Sequence, residues 1–268
     1  MQQQARRRGR PRGLKSTQIA NIQSLDRALD VLEALAAREG ITLTELSSHL
    51  RQSPATMHRV LTTLEQRHYA ECTPESQQWF IGAEAFRLGS AFLRRINIVE
   101  RSRSIMRDLM VRTGETSNLG IQRDGDVLFI SQVETHETIR AFFPPGTRSP
   151  LHASGIGKAL LSTFDDDRLE AFIKTAKFNR FTDRTIASAE QLREAVKRTR
   201  QRGYSLDDEE RTIGMRCVAA SIRNSYGEAV AGVSISGPTI RMPDGKVREI
   251  GRWVVEAAAE VSRRLGAR

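Results

Sequence analysis

Thr42-Leu43-Thr44-Glu45-Leu46-Ser47-Ser48-His49-Leu50-Arg51-Gln52-Ser53-Pro54-Ala55-Thr56-Met57-His58-Arg59-Val60-Leu61-Thr62-Thr63-Leu64 is the stretch on which the fold turns. It holds two helix starts in quick succession. Thr42 followed by Glu45 is a capping box, in which each side chain satisfies an orphan N–H of the first turn, and it predicts a short helix over Leu43 to Leu50. Ser53 supplies the next N-cap hydroxyl, and Pro54 stands at the first helical position, where no N–H is needed. The helix it opens, Pro54 to about Arg67, sets Met57, Val60, Leu61 and Leu64 on one face. Ala55, Thr56, Arg59, Thr62, Thr63 and Gln66 lie on the other. Two helices parted by a turn of about three residues, the second polar and basic outside, make a helix-turn-helix. Ala55 and Thr56 are small enough for backbone to approach a groove floor, and Arg59 either reads guanine or holds a phosphate. The alternative is an ordinary three-helix bundle with a solvated face.

Upstream, Leu25, Ala28, Leu29, Leu32, Leu35 and Ala36 recur at helical spacing and predict a first helix with one apolar face. Gly40 is expected to end it, with Arg38 in the last turn. Ahead of that helix, residues 1–20 read as a disordered basic arm. Arg6, Arg7, Arg8, Arg10, Arg12 and Lys15 meet no acidic residue there. Such an arm neutralises phosphates or enters a narrow minor groove, with Arg10 and Arg12 as candidate contacts; a solubilising tail is the alternative. Downstream, Tyr69 to Cys72 and Trp79 to Gly82 flank a polar turn at Thr73-Pro74-Glu75-Ser76, a hairpin placed as a wing. Arg67 and Gln78 fall where a wing meets phosphates, and Trp79 reads as a core plug. Residues 21–82 thus form an expected winged helix-turn-helix for double-stranded DNA. Its candidate contacts are Ser53, Pro54, Ala55, Thr56, His58, Arg59, Thr62, Arg67 and Gln78.

Residues 83–100 read as a linker helix whose Phe86, Leu88, Phe92, Leu93 and Ile96 suit a dimer interface. A further helix from about Arg101 to Arg112 opens the last domain, 101–268. Its candidate strands are Ser117–Gln122, Val127–Val133, Ile139–Phe143, Cys217–Arg223 and Val230–Ser236, with an Asp124-Gly125 hairpin turn. Helices are expected at Gly155–Thr163, Asp166–Thr175, Ala189–Arg202 and Lys246–Leu265. Consecutive strands followed by mixed helices predict an α+β fold with an antiparallel sheet.

Three segments of that domain carry chemistry. In Leu151-His152-Ala153-Ser154-Gly155-Ile156-Gly157-Lys158, glycines at a helix start expose N–H groups toward an anion, or else allow tight packing. Gly157-Lys158 is no phosphate loop: the required earlier glycine is missing, and Ala159 replaces the magnesium-binding hydroxyl. The second segment joins Asp207-Asp208-Glu209-Glu210, by itself a solvated loop, to Gly214-Met215-Arg216-Cys217. In the third, strand alternation sends Val233 and Ile235 one way and Gly232, Ser234 and Ser236 the other. Hydroxyls about 6–7 Å apart along a strand bracket a ligand of few heavy atoms, unless they face solvent or neighbouring backbone.

Gln23-Ser24-Leu25-Asp26-Arg27-Ala28-Leu29-Asp30, the capping box and Ser53 to Leu61 together resemble the IclR family of regulators, and the resemblance extends over essentially the whole chain. It implies palindromic operators, dimers that pair into tetramers and a GAF- or profilin-like effector domain. By the same resemblance, Ser154, Gly155, Asp207, Cys217, Ser234 and Ser236, with Ile156 and Met215 beside them, match the pocket of members that sense small oxoacids. The pattern is similar to the glyoxylate-responsive allantoin-repressor type, so glyoxylate or pyruvate is the expected ligand, with no cofactor.

Composition bounds the alternatives. The net charge is +10, hydrophobic residues make up 39% and aromatic residues 6%, and no segment offers the roughly 20 apolar residues of a membrane span. No apolar stretch follows the basic N-terminus, so a secretory signal is not expected. Cys72 and Cys217 alone cannot build a disulfide framework, which fits a reducing cytoplasm. A Cys217-dependent enzyme would need a histidine base, and His49, His58 and His68 belong to the winged helix, leaving only His136 and His152. No Cys/His grouping has metal-ligand spacing. A DNA-binding structural protein without a ligand is the remaining alternative, and it leaves the polar strand unexplained.

Overall fold

Caps set the elements of the first part of the chain. In the computed structural model, which describes residues 22–96 and 98–267, α1 spans Gln23–Ala36, a two-residue β1 spans Ile41–Thr42, and α2 spans Leu43–Leu50. Thr42 Oγ1 accepts from Glu45 N at 3.3 Å while Glu45 Oε2 accepts from Thr42 N at 2.9 Å, the capping box in full. Ser53 Oγ accepts from Thr56 N at 3.2 Å and opens α3, Pro54–Gln66. The wing follows as β2, Ala70–Thr73, and β3, Gln78–Ile81. β3 lies between the other two strands, with Ile41 opposite Trp79. Val31, Leu35, Leu46, Met57, Leu61 and Trp79 close the core.

Two details differ from expectation. The buried stripe of α1 is Val31, Ala34 and Leu35, whereas Leu25 and Leu29 are 54% and 49% exposed. Only the second half of α1 meets the cluster, so the periodic apolar face extends beyond what this unit buries. Arg38 lies past the helix end and reaches back, its Nη1 donating to Ala34 O at 3.2 Å.

The chain groups into two compact units that divide between Ala91 and Phe92. α4, Ala83–Ile96, precedes α5, Ile98–Thr113, which starts ahead of the expected Arg101. The side chains of Phe92, Leu93 and Ile96 lie outside the described residues.

In the second unit the order is β4 (Thr116–Arg123), β5 (Asp126–Val133), β6 (Arg148–Pro150), α6 (Gly155–Leu161), α7 (Asp166–Thr175) and α8 (Ala189–Arg202). Then come β7 (Ser205–Asp208), β8 (Met215–Arg223), β9 (Ala229–Pro238) and α9 (Asp244–Arg264). The six strands form one antiparallel sheet in the order β6-β5-β4-β9-β8-β7. One face packs on α5 and α9 through Leu119, Val218, Val233 and Ile235, the other on α6, α7 and α8. Asp124 and Gly125 both take positive φ, 50° and 84°, as a two-residue hairpin turn requires. The expected strand Ile139–Phe143 is absent. That segment is a loop with Ala141 tucked in and Ile139 and Phe142 exposed. Pro144 and Pro145 follow it without an N–H to extend a ladder, and β6 pairs with β5 instead. The start of the acidic run is not a free loop, because Asp207 and Asp208 belong to edge strand β7.

Candidate effector site and DNA interface

The sheet face toward α6 is polar in rows, which the strand register produces. Asp207 on β7 stands opposite Cys217 on β8, Cys217 opposite Ser236 on β9, and Ser236 opposite Thr116 on β4. In the next row Ala219 faces Ser234, Ser234 faces Asn118, and Asn118 faces Gln132 on β5. The middle of these rows is dry: Ser234 is 0% exposed and Ser236 2%. Asn118 Nδ2 donates to Ser236 Oγ at 3.2 Å, and Gln132 Nε2 donates to Asn118 Oδ1 at 3.0 Å. Ser234 Oγ faces the Cys217 thiol and has no nitrogen or oxygen partner among the described residues. A buried hydroxyl left this way forfeits about 1–3 kcal/mol, so native structures supply it with a partner.

Glycines let α6 lie directly on this face. A Cβ at Gly155 would stand 2.6 Å from Cys217 Sγ, and one at Gly232 would stand 2.7 Å from Ile156 Cγ2. The Ile156 side chain, expected beside a ligand, is instead a fully buried wedge in the core. Ser154 caps the helix, its Oγ accepting from Gly157 N at 3.3 Å, and Ser205 Oγ ties the first turn to β7 by donating to Gly155 O at 2.6 Å. Asp207, Met215, Cys217 and Ser236 line one small cavity of about 20 Å³, closed by Phe143, Arg211, Thr212 and Arg216. The structure therefore brings four of the expected residues to a common cavity, with Gly155 against the thiol and Ser234 in the next row.

A charged cluster adjoins it. Lys158, 1% exposed, reaches from α6 to Glu210, its Nζ donating to Glu210 Oε1. Asp207 Oδ1 accepts from Glu210 N at 2.8 Å, and Glu210 Oε2 has no partner among the described residues. Burial outweighs the attraction of Lys158 at both carboxyls: Asp207 is held above the usual carboxylate range, and Glu210 rises from 4.5 to about 7. The Cys217 thiol is pushed up to about 11, by burial first and the Asp207 carboxylate second. Sequence reasoning missed Lys158, Glu210, Asn118 and Gln132. Thr116 and Asn118 share a face of β4 and lie in a polar start, Thr116-Ser117-Asn118, to a strand that is buried there, which carried a weak signal; the Lys158–Glu210 pair, far apart in the chain, carried none. Among the described residues no group of His, Cys, Asp or Glu is arranged to hold a metal ion.

On α3 the polar face is open. Ser53, Pro54, Ala55, His58 and Arg59 are exposed, Thr56 and Thr62 half-buried, and Arg59 has no carboxylate partner among the described residues. Arg67 stands exposed at the C-cap, and the half-buried Gln78 opens β3. Ser53 and Thr56 also serve the helix start, with hydroxyls 2.9 Å apart. Arg10 and Arg12 lie outside the described residues.

A winged helix-turn-helix followed by an antiparallel-sheet domain with a polar interior defines a bacterial transcriptional regulator with an effector domain. The chain belongs to the IclR family: residues 24–74 match the IclR helix-turn-helix domain, and residues 90–263 match the bacterial transcriptional regulator IclR C-terminal domain. It is similar to the HTH-type transcriptional regulator BhcR of Paracoccus denitrificans, 52% identical over 266 residues, covering 98% of this chain and 95% of that one. Against the transcriptional repressor IclR of Escherichia coli the identity is 37%, over 98% and 97% of the two chains. The crystal structure of Thermotoga maritima IclR superposes with a TM-score of 0.78 at 28% identity, covering 92% of this chain and all of that one. The protein is thus a DNA-binding transcriptional regulator, of a family whose members bind operator DNA and small-molecule effectors. No helix among the described residues is long and apolar enough to cross a membrane.

Proposed function

We propose that a small oxoacid, glyoxylate or a close relative such as pyruvate, binds in the second unit and sets the affinity of the first for a palindromic operator. Residues 101–268 hold the effector, residues 83–100 link, and residues 21–82 with the basic arm 1–20 hold the DNA. The observation that carries this reading is Ser234 Oγ, fully buried, facing the Cys217 thiol with no nitrogen or oxygen partner among the described residues, and close to Ser236 and Asp207. A cluster of hydroxyls, a thiol and a carboxyl suits a small polar ligand.

The cavity has room for about one water. Uptake of a two-carbon acid therefore displaces the strap from Arg211 to Met215, and that displacement is the origin of the allosteric signal. The effector shifts the equilibrium only by its differential affinity for the two states. Self-association as a dimer and a dimer of dimers is supported by Leu25 and Leu29 on α1 and Ile22 just ahead of it, all exposed. A cytoplasmic, non-enzymatic regulator fits the free cysteines, and a thiol pushed up to about 11 is a poor catalytic nucleophile.

Calorimetry with glyoxylate tests the reading. The wild type should bind, and Ser234→Ala combined with Ser236→Ala should weaken binding roughly 10- to 100-fold, from two hydrogen bonds at about 1 kcal/mol each. Absence of binding to the wild type, or unchanged affinity in the double variant, refutes it.

A further inference from the structure

An oxoacid presents an electrophilic carbonyl carbon, and the cavity presents a thiol. Cys217 is half-buried, its sulfur lining the cavity between Asp207 and Ser236 on the neighbouring strands. Gly155 of α6 lies against Sγ, where any Cβ would collide with the sulfur. Ser234 Oγ adds an independent observation: it is fully buried, faces the thiol from β9 and makes no hydrogen bond to a nitrogen or oxygen among the described residues. The hydroxyl is thus placed where an oxygen attached to a carbon bonded to Sγ would meet it.

We propose, on the basis of the oxoacid reading above, that Cys217 captures the ligand's carbonyl carbon as a reversible thiohemiacetal. In that step the Sγ–C bond forms and the C=O π bond opens. The thiol proton passes to Asp207, and a proton from that carboxyl completes the new hydroxyl. Nothing leaves, and nothing is oxidised or reduced. Ser234 and Ser236 then hydrogen-bond the tetrahedral hydroxyl, and the ligand carboxylate faces Arg211. Arg211 lines the cavity, stacks on Phe181 at 4.0 Å and has no carboxylate partner among the described residues.

The chemistry of the site agrees with addition and reversal. The buried thiol is held protonated, so addition cannot start from a free thiolate and requires Asp207 to take the proton as the Sγ–C bond forms. Burial holds Asp207 above the usual carboxylate range, which lets one group both take and return a proton. The functional consequence is selectivity. A pocket of hydrogen bonds alone accepts glycolate about as well as glyoxylate, whereas a thiol that forms a bond to carbon accepts only the carbonyl acid.

The test uses full-length protein and glyoxylate labelled with ¹³C at the aldehyde carbon. In the wild type, NMR should show a bound carbon carrying one sulfur and one oxygen, distinct from the free aldehyde and its hydrate. Cys217→Ser and Cys217→Ala, which both retain Cys72, should lose that resonance. Calorimetry should show the wild type preferring glyoxylate to glycolate by roughly tenfold or more, about 1.4 kcal/mol, and the variants losing that preference. A wild-type complex whose bound carbon is hydrate or free aldehyde overturns the adduct while leaving the oxoacid reading intact, as does a preference that survives in both variants. Failure of glyoxylate to bind the wild type at all removes the reading and the adduct together.

Discussion

The outer face of α3 and the α6-facing side of the sheet are both polar, and only the first is wet. On α3, Arg59 and His58 stand open to solvent, so the fold itself has no need of those two side chains and they are free to meet a partner outside the protein. On the sheet, water does not reach Ser234, Ser236 or Asn118, and each polar atom must find a partner inside. Asn118 and Ser236 find each other; Ser234 meets only a thiol, a weak partner. Polarity on an exposed face is permitted, whereas polarity in the interior has to be accounted for. The interior face is therefore the sharper pointer to a ligand.

That contrast breaks if exposed and buried charges prove equally dispensable, and Lys158→Met gives the largest expected effect. It strands the buried Glu210 and Asp207 and should cost about 3–5 kcal/mol, read as the denaturation midpoint of the second unit. A loss below about 1 kcal/mol would mean the cluster behaves as a surface pair. Arg59→Ala should leave that midpoint alone and weaken operator binding by about 1–3 kcal/mol in fluorescence anisotropy. Unchanged binding would take Arg59 out of the interface. Ser53→Ala removes the cap of α3 and should cost the first unit about 1 kcal/mol by thermal denaturation, with an uncapped α3 as stable as the wild type arguing otherwise.

The smallest effect is a slope. Because the folded Glu210 holds its proton up to about 7 while its ordinary value is 4.5, the folded chain keeps a proton that the unfolded chain has released between those values. The second unit therefore loses stability as pH rises through that window and levels off above it. Denaturation midpoints measured across the window should show the decline in the wild type and a flatter profile in Glu210→Gln; parallel profiles would show that another group titrates.

Local signals made the first unit readable. Thr42 with Glu45, and Ser53 with Pro54, act within a single turn, so α2 and α3 were legible to the residue at their starts. β1 and β7 were not, because they exist through pairing with residues distant in the chain, Ile41 with Trp79 and Asp207 with Cys217. The segment Ile139–Phe143 misled for the converse reason: strand-like residues lacked a partner edge. In the candidate site, alternation along β9 placed Ser234 and Ser236 on one face in advance. It could not reveal that Ile156 fills the space left by Gly232, nor that Lys158 is matched by Glu210, since both depend on how α6 settles on the sheet.

The central claim is that the buried polar face governs the exposed one. Anisotropy titration of DNA from upstream of the protein's own gene, with and without glyoxylate, tests it most directly. The wild type should change its affinity for that DNA when glyoxylate is added, and the Ser234→Ala, Ser236→Ala double variant should bind the same DNA without responding. A wild type that ignores glyoxylate, or a double variant that responds equally, contradicts the claim.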